Sequence, residues 1–133
     1  MAERFLIDTS AIIKYLNATF PDSSLQSLDE LIDTESLISF VTEIELRAWN
    51  PGDPDDLLVY NEFIAGSHVV GIDSNIINET VRIRKQYRIK LPDALIAATA
   101  LVNNFTLIAD NDKDYGKVPD LKYFNPAKVN GNE

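Results

Sequence analysis

"FLIDTSAIIKYL", residues 5–16, joins two patterns at one aspartate. Phe5, Leu6 and Ile7 form a short apolar run, as at the end of a buried strand. A helical pattern starts directly behind, over "SAIIKYL". Asp8 sits where one gives way to the other. Asp, Thr and Ser stand there in a row, and all three are good helix N-caps. Asp8 therefore has two readings. It caps the helix, or it forms one wall of an anionic pocket.

Outward from this junction the alternation repeats. "RFLI" opens as a strand, and "SSLQSLDELID" is a helix with Leu25, Leu28, Leu31 and Ile32 at helical spacing and serines ahead as caps. "SLISFV" reads as a strand and "EIELRAW" as a helix capped by Thr42. "DDLLVYNEFIAG" is a helix ending at Gly66, "HVVGI" a strand, and "SNIINETVRIRKQY" a helix capped by Asp73 or Ser74. "PDALIAATALVNN" is a helix with Pro92 in its first turn, followed by the strands "TLIAD" and "LKYF". Short apolar strands separated by helices predict an α/β sandwich with a central, mostly parallel sheet flanked by helices. Sites in such sheets form at the carboxyl ends of the strands.

Acids gather at those ends. Asp8 follows the first strand, Glu43 and Glu45 the second, and Asp110, Asp112 and Asp114 a later one, while Asp93 opens the helix feeding that later strand. Each has a plain structural explanation. Thr42 and Glu45 have the spacing of a capping box. Asp93 favours a helix dipole. "ADNDKDYG" suits a solvated turn. Together they fall near one edge, and no basic residue neighbours Asp8 or Glu45 in sequence. Clustered carboxylates disfavour one another's charge, and a divalent cation relieves that. Oxygen donors without cysteine, and with His68 as the one histidine, point to Mg²⁺ or Mn²⁺ rather than Zn²⁺.

The 133 residues fit one domain, with the packed part expected over about 3–126 and a frayed polar tail from Asn125. The prolines and glycine of "NPGDPDD", residues 50–56, read as a loop between helices. The chain has no cysteine, which excludes a disulfide scaffold. It shows no apolar run of membrane-spanning length and no signal-peptide pattern at its start, so a cytoplasmic protein with no membrane partner is expected. The net charge of −9 suits a cation site and disfavours nucleic acid. Against that stands one dense basic segment, "RIRKQYRIK", residues 82–90. Arg82, Arg84, Lys85 and Arg88 are candidate phosphate contacts, a solvated helix face, or a surface that pairs with an acidic stretch of a protein partner.

"FLIDTSAII", "ISFVTEIEL", "LPDALIAATA" and "TLIADNDKDY" resemble, in order, the four acidic motifs of PIN-domain nucleases, over about residues 3–126. In its compact size the chain is most similar to the VapC toxins of toxin–antitoxin pairs. The resemblance implies a PIN-like three-layer sandwich with a sheet of about five strands and Mg²⁺-dependent hydrolysis of RNA. It also implies a small antitoxin partner and a homodimer, for which Trp49 offers an exposed apolar contact. Asp8, Glu45, Asp93 and Asp112 are the implied catalytic set, with Asp8, Asp93, Asp112 and Asp110 as metal ligands. The fourth motif has three registers, on Asn111, Asp112 or Asp110, and Asp112 is favoured. Ser10, Glu43, Asn111 and Asp114 are supporting candidates. The competing expectation is a PIN fold without catalysis, acting as a binding or regulatory module. A phosphotransferase with Asp8 as nucleophile ranks lower, because "DTS" lacks a second aspartate two residues on.

Overall fold

A computed structural model describes residues 3–50 and 52–128. Five short parallel strands form the sheet: β1 Phe5–Ile7, β2 Leu37–Ser39, β3 His68–Val70, β4 Thr106–Ile108 and β5 Tyr123–Phe124. Their order is β3-β2-β1-β4-β5, with every pairing parallel. The helices are α1 Thr9–Leu16, α2 Asp22–Thr34, α3 Phe40–Ala48, α4 Pro54–Ala65, α5 Ser74–Gln86, α6 Leu91–Asn103 and the short α7 Asp112–Tyr115.

The apolar runs are explained by burial on both faces. Leu6, Leu37 and Leu107 pack into one core with Ile76, Ile83 and Ile96 from α5 and α6. Their neighbours Ile7, Ile38 and Ile108 pack into the other, with Ile12, Leu28, Leu46 and Ile64 from α1 to α4. Successive strand residues point to opposite faces, so one strand feeds both layers. The expected three-layer sandwich is the observed one.

Four local expectations change. β2 ends at Ser39, and Phe40 and Val41, expected in the strand, already belong to α3. Ser39 caps α3 by accepting from the Thr42 amide at 3.1 Å, so Thr42 is not the cap and the Thr42–Glu45 capping box does not form. Ahead of α2 the N-cap position is Pro21, with Ser23 and Ser24 inside the helix. Asn125 to Lys128 are not frayed. Asn125 is buried, Pro126–Lys128 form a 3₁₀ turn, and Ser24 Oγ donates to the Pro126 carbonyl at 2.7 Å. Residues 129–133 lie outside the described part.

The sheet's order locates the site. The chain runs from β1 outward through β2 to β3, then returns to the other side of β1 for β4 and β5. The switch lies between β1 and β4, paired in register from Phe5↔Thr106 to Ile7↔Ile108. Parallel sheets open their ligand crevices at such points, beyond the strand carboxyl ends.

Candidate active site

Asp8 is the first residue beyond β1, and its amide donates to the Ile108 carbonyl across the switch at 3.0 Å. Its Oδ1 accepts from the Ala11 amide at 2.9 Å and from Ser10 Oγ at 3.0 Å. The cap reading is therefore true. The pocket reading is true as well, because Asp8 also lines a cleft of about 320 Å³ with Glu45, Trp49, Asp93, Asp110 and Asn111. Asp8 is only 4% exposed. Burial pushes its carboxyl up to about 7, the hydrogen bonds from Ala11 and Ser10 oppose that shift, and the nearby Asp93 charge adds to it.

Asp93 is placed by the first turn of α6, opposite Asp8. Partial burial raises its carboxyl above the ordinary aspartate range, and a hydrogen bond with Asp114 raises it further. Asp114 goes the other way. Desolvation works against its charge, but hydrogen bonds from Asn111 and Asp93, with Lys117 nearby, hold it low. The pair thus favours a proton on Asp93 and a charge on Asp114. Asn111 Nδ2 reaches both, at 3.4 Å from Asp93 Oδ2 and 3.3 Å from Asp114 Oδ2.

Glu45 is freed from capping by Ser39. It sits near the middle of α3, and Thr9 Oγ1 donates to its Oε1 at 2.5 Å. Thr9 Oγ1 also lies 3.1 Å from Thr42 Oγ1, so a small hydroxyl cluster ties α1 to α3 beside the cleft.

Beneath the carboxylates lies Tyr115, 1% exposed, which the sequence does not single out. Its hydroxyl is 3.4 Å from both Asp8 Oδ2 and Asp93 Oδ1. Burial drives the phenol well above its usual range, and the two aspartates add to the shift, so it stays a proton donor. Its ring tilts against Tyr123 at 5.7 Å between centroids.

The acids after β4 divide. Asp110 lines the cleft but is tied to Lys14 and accepts from Asn125 Nδ2 at 2.9 Å. Asp112, favoured from sequence for the fourth position, lies outside the cleft wall. It is exposed and accepts from Tyr123 Oη at 2.7 Å and Asn125 Nδ2 at 3.0 Å. Asn111 and Asp114 are the members of this loop brought to Asp93. Glu43 is paired with Arg47 at 2.7 Å, away from the cleft. Trp49, expected on a dimer contact, forms part of the cleft wall.

Of the basic segment, Arg82 is engaged with Glu79, Gln86 and Asp120. Arg84 donates to the Ile89 carbonyl at 2.7 Å. Among the described residues, Arg84, Lys85, Arg88 and Lys90 have no carboxylate within ion-pair distance. His68 is exposed on β3 and does not line the cleft.

The donor set suits a hard divalent cation. Mg²⁺ typically takes one or two carboxylates and keeps several of its waters. Asp8 and Asp93 supply two carboxylates in a cleft whose wall holds no sulfur or imidazole. Among the described residues, no three acids converge as a finished ligand cage.

A parallel sheet flanked by helices on both faces, with acids lining a cleft at its switch point, defines the class of α/β protein to which this chain belongs. The chain belongs to the PIN-domain family, whose model matches residues 5–121. Its fold is similar to that of VapBC2 from Rickettsia felis, solved bound to a promoter DNA fragment (22% identity over 91% of this chain and 97% of that chain, TM-score 0.76). VapBC-1 from nontypeable Haemophilus influenzae is similar at 22% identity, 93% and 98% coverage and TM-score 0.76. FitAcB from Neisseria gonorrhoeae is similar at 21% identity, 94% and 99% coverage and TM-score 0.70. At these identities the likeness is one of fold. No curated protein matches by sequence. No helix among the described residues is long and apolar enough to cross a membrane.

Proposed function

We propose that this protein is a divalent-metal-dependent endoribonuclease, the toxin of a toxin–antitoxin pair with a small antitoxin partner. The observation that carries the reading is the meeting of Asp8 and Asp93 in one cleft, flanked by Glu45, Asn111 and Asp114. PIN-family membership supports it, and so do fold relatives that are toxin–antitoxin proteins.

Asp8 and Asp93 would hold the cation, Mg²⁺ or Mn²⁺. When bound, that ion lowers the pKa of a water and neutralises a phosphodiester oxygen. Ser10 and the Ala11 amide fix the Asp8 carboxylate. Thr9 fixes Glu45 at the cleft, where it can orient or accept a proton from the attacking water. Asn111 aligns Asp93 with Asp114. Arg84, Lys85 and Arg88 are the proposed phosphate contacts; Arg82 is occupied by acids. Self-association into a homodimer belongs to the same reading, with Ile44, Leu58 and Val59 exposed on α3 and α4.

The test is cleavage of single-stranded RNA by purified, partner-free protein. Mg²⁺ or Mn²⁺ should support it, and chelator should stop it. Asp93→Asn should lower the rate by more than about a hundredfold, since even outer-shell partners of a metal are worth about 10–100-fold. RNA binding without cleavage in any divalent metal would favour the regulatory-module reading. Activity that survives exhaustive chelation would remove the metal from the mechanism.

A further inference from the structure

An acidic chain that cuts RNA must hold its substrate where its own charge repels it. The cleft wall contains Asp8, Glu45, Asp93 and Asp110 but neither lysine nor arginine among the described residues. Lys14, the cation beside it, is already paired with Asp110. The cations at residues 84–90, which have no carboxylate partner among the described residues, lie outside that wall. Substrate affinity inside the cleft therefore needs a source other than protein cations.

The other half of the wall supplies one. Trp49, Ile13 and Ile96 line the same cleft as the carboxylates. Trp49 is the chain's one tryptophan and stands 50% exposed at the carboxyl end of α3, four residues beyond Glu45. An indole half in water keeps surface available for a flat partner. Bases of single-stranded RNA are such partners, since every base has a π face and stacking needs no charge.

Resting on the nuclease reading above, we infer that Trp49 is a base-stacking platform for single-stranded RNA, seating a nucleobase beside the phosphate that faces Asp8 and Asp93. The carboxylates and their cation engage the backbone, and the indole engages a base. The interaction is the same before and after bond cleavage begins, so it contributes to binding more than to the chemical step.

The single tryptophan makes the test direct. Trp emission is followed in chelator while short single-stranded RNA is added, beside a same-length strand carrying abasic sites. The RNA should quench Trp49 saturably, and the abasic strand should not. In Mg²⁺, Trp49→Ala should raise KM roughly 5- to 150-fold with kcat nearly unchanged, from a stacking contribution of about 1–3 kcal/mol per base. Trp49→Phe should recover most of the loss. Equal quenching by the abasic strand would overturn the inference. So would an unchanged KM in Trp49→Ala, or loss of a dimer in that variant, which would make Trp49 a contact between copies. Wild-type protein that neither binds nor cuts RNA would remove the nuclease reading first, and the stacking site with it.

Discussion

Asp8 and Asp110 lie just past the ends of neighbouring strands, on the two sides of the same topological switch, yet the fold gives them opposite character. Asp8 turns inward and burial pushes its carboxyl up to about 7. Asp110 is held below the ordinary range by Lys14 first and Asn125 second. The side chains are identical and the surroundings are not. Asp8 has hydroxyls, an amide and further carboxylates around it, and no ion-pair partner among the described residues. Asp110 has its cation already. The difference separates acids that would hold a metal from acids that hold the loop.

The largest effect should follow from neutralising the inward acid. The folded-state pKa of Asp8 lies above its unfolded value near 3.8, so the native state binds the extra proton between those limits. Metal-free protein should lose stability as pH rises from about 4 to about 7 and level off above that. Asp8→Asn keeps an acceptor for the Ala11 amide and removes the charge. In chelator at pH 8 the variant should be more stable than wild type by roughly 2–4 kcal/mol, at about 1.4 kcal/mol per pKa unit. Its melting temperature should fall less steeply with pH than the wild type's, keeping only the part that the raised Asp93 carboxyl contributes. Millimolar Mg²⁺ should raise the wild-type midpoint and the variant's much less. A variant no more stable than wild type in chelator, and equally responsive to Mg²⁺, would leave Asp8 as a cap alone.

A smaller effect should come from the donor beneath the pair. Tyr115→Phe keeps the ring and its contact with Tyr123, and removes the hydroxyl set between Asp8 and Asp93. The carboxylates would lose their shared neutral donor. Mn²⁺ affinity by calorimetry should fall about tenfold, as for an outer-shell partner. Unchanged affinity would make Tyr115 a packing residue.

What the sequence made legible follows the same division. Asp8 and Asp93 sit where a regular period starts or stops, and the period itself fixes their direction. The sheet and its layers follow from the same local patterns. Ser39 could have been found as the cap of α3 from its spacing to Thr42, but the apolar run "LISFV" read straight through it. The loop after β4 carries no period. Its acids are aimed by Tyr123, Asn125 and Lys14, at distances of 11 to 96 residues along the chain. A shift of one residue in such a loop exchanges inward for outward, and only the folded partners decide it. Tyr115 was illegible for the same reason, since its hydroxyl meets a carboxylate 107 residues away.

That loop supplies the smallest contrast and the most exact one. Asp112 and Asp114 are two residues apart in one short helix, and sequence favours the first as the fourth acid. The fold turns Asp112 toward Tyr123 and Asn125, with Lys128 Nζ 3.8 Å from its Oδ2. Asn at that position still accepts from both donors and loses only an exposed ion pair. Asp112→Asn should therefore keep its single-turnover cleavage rate and its Mn²⁺ affinity within roughly threefold of wild type, the scale of a surface pair. Asp114 is joined instead to Asn111 and Asp93, inside the site. Asp114→Asn replaces a charged partner of Asp93 with a neutral one, and should lower the rate and the affinity about tenfold. The two variants change the same atoms in the same helix, so general damage to the loop would affect them alike. If Asp112→Asn is the one that collapses, the fourth acid is Asp112, and the loop must rotate when the cation and RNA arrive.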